Sequence, residues 1–125
     1  LELKNCSPRI LDDLPFVRES LLTAAREAGG TILGSSFHQF HPQGVTGIVA
    51  IAESHLCIHT WPEYGYAAID IFTCGERFQP EKAAQLLIDR LESKEPSIMT
   101  IKRGILASLS KTQEAQPLRR NGNQR

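Results

Sequence analysis

Cysteine is scarce in this chain, and neither sign of charge is in surplus. Cys6, Cys57 and Cys74 cannot all pair, and none stands in a C-x-x-C spacing, so neither a disulfide framework nor a paired redox motif is encoded. Such usage fits a reducing compartment, and the cytoplasm is the expected location. Fourteen basic residues balance fourteen acidic ones, which removes the electrostatic case for binding DNA, RNA or a membrane surface. No apolar run reaches the roughly 18 residues that a membrane span requires. No basic-then-apolar leader opens the chain, and because position 1 is Leu1 the natural N-terminus is expected to lie ahead of it.

What is present is 125 residues, 41% of them apolar, which is enough for one domain with a real core. There is no internal repeat. Residues 111–125 hold four basic residues and one acidic residue, with almost nothing to bury. A single domain over 1–108 and a disordered basic tail over 109–125 are therefore expected.

Asp12 and Asp13 are candidate N-caps, and Pro15 follows in the first turn, where its missing N–H is harmless. Phe16, Val17, Leu21, Ala24, Ala25 and Ala28 recur at helical spacing until Gly29 and Gly30 end the segment. Strands are expected over 31–40, 45–52, 55–60 and 66–73, with turns at 42–44 and 61–65. Pro80 opens a second helix that carries Ala83, Ala84, Leu87 and Leu91 on one face, and 97–105 forms a last strand. The apolar run 48–52 does not alternate, so that strand is expected to be covered on both sides. Helix, four strands, helix, strand is an order that favours a mainly antiparallel α+β sheet. Two helices cover one face of such a sheet. The other face is expected to meet a second protomer.

Chemistry concentrates in 53–75, ESHLCIHTWPEYGYAAIDIFTCG, preceded by SFHQFHPQGVTG at 36–47. His38 with His41, or His55 with Cys57 and His59, are zinc-ligand types, but residues two apart on a strand rarely converge on one ion. No metal is expected. Ser54, His59 and Asp70 are the members of a hydrolase triad, yet the G-x-S-x-G elbow is missing. Taken singly, Ser54 reads as a strand-end hydroxyl, His59 as a half-buried histidine, and Cys74 and Phe40 as core. Glu63 reads as a solvated charge. Asp70, inside an apolar strand, is the oddity, because a carboxylate there needs partners.

Taken jointly, Glu53-Ser54-His55, His59-Thr60-Trp61-Pro62-Glu63, Asp70 and Thr73-Cys74-Gly75 closely resemble the core signature of the bacterial and archaeal S-adenosylmethionine decarboxylases. The Phe-His-x-Phe and Pro-Gln-Gly-Val segments upstream extend the resemblance, which covers roughly Cys6 to Gly104. It implies the decarboxylase sandwich fold, with helices on one sheet face and a homodimer of cleaved protomers across the other.

The resemblance also implies a self-made cofactor. Ser54 Oγ attacks the carbonyl of Glu53, the chain breaks between 53 and 54, and Ser54 becomes a pyruvoyl group that forms a Schiff base with the substrate amine. His59 corresponds to the processing base, for which imidazole suits neutral pH. Cys74 matches the proton donor, with His55 next in line. Glu63 matches the carboxylate that binds the ribose hydroxyls, and Phe40 the aromatic that stacks on adenine. Thr46 stands where relatives often carry a serine that assists processing, so the hydroxyl is kept with a β-branch added. The family usually carries a short strand with a glycine and a histidine ahead of Leu1, and its absence would leave a sheet edge unpaired. The implied substrate is S-adenosylmethionine, decarboxylated for spermidine synthesis. Arginine or ornithine with the same chemistry, and an unprocessed non-catalytic assembly partner, are the alternatives.

Overall fold

The computed structural model describes residues 1–74 and 76–104. The expected tail over 109–125, and the end of the expected domain at 105–108, lie outside the described residues.

Short elements come first: strand β1 (Glu2–Lys4) and helix α1 (Pro8–Leu11). Neither was expected, because three or four residues are too few to show a period. Helix α2 (Leu14–Glu27) then starts as expected. Of the two candidate caps it is Asp13 whose carboxylate accepts from the Phe16 N–H at 3.1 Å. Strands β2 (Ile32–Gln39), β3 (Val45–Ile51), β4 (Ser54–Trp61) and β5 (Tyr66–Thr73) follow within a residue or so of expectation. A 3₁₀ turn at Pro62–Tyr64 joins the last two. Helix α3 (Pro80–Arg90) comes next. The final strand, β6 (Glu95–Ser97), ends where the expected strand was to begin, and 98–104 adopt no regular element.

Among the described residues all six strands lie in one sheet of order β2-β3-β4-β5-β1-β6. Its pairings are all antiparallel. Val45, Val49, Ile51, Leu56, Ile58, Ala67 and Ile69 turn to one side, where they join Val17, Leu21, Ala24, Ala25 and Leu87 of the helices in a single core. Gly47 belongs to that side too, and the Phe37 ring of the paired strand lies across it, where a side chain would otherwise stand.

Among the described residues the opposite face carries no helix. On β3 burial alternates, so in the protomer only one side of the apolar run is covered, and Ile48 on the other is 43% exposed. Thr46, Ala50, His55, Cys57, His59, Trp61, Ala68, Asp70 and Phe72 share this bare face by strand alternation.

Candidate active site

Residues 52–53 form the two-residue tip of the β3–β4 hairpin, with Ile51 opposite Ser54. Ser54 has φ 140°, a value that side chains rarely adopt. Two contacts to one residue hold this tip. Ala52 N–H donates to the Thr31 carbonyl at 2.9 Å, and Thr31 N–H donates to Glu53 Oε1 at 3.2 Å.

The carbonyl of Glu53 is held as well. It accepts the backbone N–H of Cys74 at 3.0 Å, and the Cys74 thiol lies 3.4 Å away. Two donors therefore converge on the one carbonyl that Ser54 Oγ would attack. Ser54 Oγ itself stands 3.2 Å from His55 Nδ1, and the His55 ring packs on Phe72 with centroids 5.5 Å apart. A cavity of about 640 Å³ opens beside this end of β5, with Phe72, Thr73 and Arg103 among its lining.

His59 is elsewhere. Five residues of extended strand separate it from Ser54, about 16 Å at the usual rise. Its ring packs between Trp61, at 4.2 Å, and Phe40, at 5.6 Å. Thr46 lies directly across from it on β3, with its hydroxyl donating to the Ile58 carbonyl at 3.2 Å. Phe40 is 38% exposed and meets His38 edge-on at 4.6 Å. Glu63 is exposed in the 3₁₀ turn beyond Trp61. The seven expected site residues thus fall into two groups at opposite ends of one sheet face. Glu53, Ser54 and Cys74 form one; Phe40, Thr46, His59 and Glu63 form the other.

His55 was expected only as a zinc-ligand type and a second candidate proton donor, His38 only as a zinc-ligand type, and Trp61 was given no role of its own. The alternation of β4 was the available signal, since it sets 55, 57, 59 and 61 on one face. Cys57 holds the middle of that row with its sulfur 4.0 Å from Asp70 Oδ2. Burial, and then the Asp70 charge, push this thiol above its ordinary range, which disfavours the thiolate form. Among the described residues no three of the metal-ligating types converge, and no helix is long and apolar enough to cross a membrane.

The adenosylmethionine decarboxylase from Aquifex aeolicus, known from a crystal structure, has a similar fold. The TM-score is 0.71 at 37% identity, over 75% of this chain and 78% of that one. The fold is of the adenosylmethionine decarboxylase class. The family model for S-adenosylmethionine decarboxylase matches residues 1–104. The chain is 57% identical over 107 residues to an S-adenosylmethionine decarboxylase proenzyme of Thermodesulfovibrio yellowstonii, covering 86% of this chain and 79% of that protein. With the proenzyme of the same name from Parasynechococcus marenigrum it shares 47% over 112 residues, 90% and 88% of the two chains. This chain belongs to the S-adenosylmethionine decarboxylase family.

Proposed function

We propose that the chain is a proenzyme that cleaves itself between Glu53 and Ser54 and then decarboxylates S-adenosylmethionine, supplying the aminopropyl donor for spermidine. The observation that carries this reading is the Glu53–Ser54 junction, where a strained serine follows a carbonyl held by Cys74 through both N–H and thiol. An ordinary amide does not rearrange to an ester. Strain in the ground state and donors placed on the developing oxyanion both lower that barrier.

Cleavage proceeds in balanced steps. Ser54 Oγ bonds to the Glu53 carbonyl carbon, the C–N bond breaks, and the hydroxyl proton passes to the freed nitrogen. A base then takes the Ser54 α-proton, and the Glu53 carboxylate leaves. The dehydroalanine left behind tautomerises and adds water, ammonia departs, and a pyruvoyl carbonyl remains at position 54. When formed, that group supplies an electron sink for loss of carbon dioxide from the substrate. The residues around it fit that use. Cys74 places a thiol beside position 54, suited to returning a proton to the substrate carbon. Phe40 offers a flat face for adenine, and Glu63 two oxygens for the ribose hydroxyls.

His59 is the proposed base, and within one protomer it cannot reach Ser54. A homodimer across the bare face removes the difficulty. If a two-fold axis between the stacked sheets runs across the strands, β4 is reversed over its copy, and the partner's His59 comes over Ser54. Stacked sheets lie about 10 Å apart, within the combined reach of two side chains. Thr46, Phe40 and Glu63 arrive with His59, so each site takes one group from each protomer. Exposed Ile48, Phe40 and Phe72 on the same face favour such burial. Three unpaired cysteines suit the reducing cytoplasm as the place of work.

Substrate choice is tested by carbon dioxide release. S-Adenosylmethionine should be strongly preferred over arginine and ornithine, which offer Phe40 no ring and Glu63 no ribose. If arginine or ornithine is the better substrate, the specificity assignment is wrong and the cleavage chemistry stands apart from it.

A further inference from the structure

Phe40 has no polar group with which to fix its own ring, and it stands at the start of the connection from β2 to β3. Its place is set by what holds 40–44, and that hold comes from a residue far away in sequence. Asp12, just past the end of α1, turns Oδ1 toward this connection. There it accepts the Gly44 N–H at 2.9 Å and the Gln39 side-chain amide at 2.9 Å. The Gln39 amide donates also to the Gly44 carbonyl at 2.9 Å, which takes the Phe40 N–H at 2.8 Å. One residue on, Val45 N–H donates to Thr60 Oγ1, and that buried hydroxyl donates to the Leu11 carbonyl, each at 2.9 Å. Gly44 has φ 109°, and a Cβ there would stand 3.2 Å from the Thr60 carbonyl. The connection is thus tied to the end of α1 at two successive residues.

We infer that Asp12, acting with Gln39, is the positioning residue that fixes Phe40 for adenine, so that it governs substrate affinity and leaves self-cleavage alone. The inference rests on the decarboxylase reading for its ligand and on geometry alone for the positioning. Removing the Asp12 carboxylate leaves the Gly44 N–H without its acceptor, and leaves the Gln39 amide bonded to the Gly44 carbonyl alone, in a half-buried site. The connection then keeps its backbone closure but loses its tether to the helix.

The test uses the full chain as wild type, Asp12→Ala, Asp12→Asn and Gln39→Ala. Amide hydrogen exchange over 39–45 reads the tether directly. Asp12→Ala should exchange on the order of tenfold faster there, with 53–55 unchanged, and Asp12→Asn should stay near wild type because it keeps an Oδ1 acceptor. Steady-state kinetics read the consequence. Asp12→Ala should be cleaved as fully as wild type, hold kcat within about twofold and raise the KM for S-adenosylmethionine on the order of tenfold. Gln39→Ala should shift both readouts in the same direction, and it decides the matter if Asp12→Ala fails to fold. Unchanged exchange over 39–45 in the variants, or Asp12→Asn behaving like Asp12→Ala, overturns the inference. A rise in KM matched by an equal fall in kcat overturns it too. If the wild type decarboxylates nothing, the functional reading fails, and the exchange measurement still decides the positioning.

Discussion

Ser54 is held at a backbone angle that suits glycine, and it holds that angle at the tip of a hairpin tied to Thr31 and Cys74. Strain of this sort costs about 1–3 kcal/mol and persists only where surroundings impose it. Ser54→Ala removes the proposed nucleophile and keeps the strain; Ser54→Gly removes both. Glycine loses about 0.5–1 kcal/mol in chain entropy, less than the strain it relieves. Both variants should remain uncut, and Ser54→Gly should be the more stable by about 1 kcal/mol in chemical denaturation. The reverse order would mean that the tip is not strained. That Ser54, Cys74 and Glu53 belong to one cluster was legible in the joined motif. The thiol on the Glu53 carbonyl was not, because a contact between residues 21 apart leaves no period in the sequence.

At the scale of elements, α2, α3 and the four central strands were readable because each is long enough to show its period. β1 and α1 are too short for that, and the strand expected over 97–105 meets the observed β6 only at Ser97, because Glu95 and Pro96 carry no strand pattern and 98–104 form no regular element. The bare face was legible only in part. An unbroken apolar run on β3 suggested two covered sides, whereas burial alternates in the protomer. Gly47 shows how closely the covered side is filled. A Cβ there would run into the Phe37 ring across the strand pair, while one at Gly34 on the neighbouring strand would meet nothing within 4 Å. Gly47→Ala should therefore cost about 1–3 kcal/mol in unfolding free energy. Gly34→Ala, the control, should be neutral or slightly stabilising. Equal effects would show that Phe37 yields without cost.

For the whole molecule, the division of site residues between two ends of one sheet face is the feature that most needs an explanation. His59 and Ser54 sit in one motif, and simple strand arithmetic already separates them by about 16 Å. The proposed second copy on the bare face would bring them together; a lone protomer does not. The most direct measurement is the denaturing intact mass of purified protein, run on wild type and on a co-expressed mixture of Ser54→Ala and His59→Ala chains. Wild type should show no 13.9 kDa chain but two pieces, split after Glu53, the larger blocked at its N-terminus and reactive toward carbonyl reagents. Each variant alone should stay whole. In the mixture the His59→Ala chain should be cut, since its Ser54 meets an intact partner's His59. A wild-type chain that remains single yet decarboxylates would contradict the account, and so would a His59→Ala chain that cuts itself unaided.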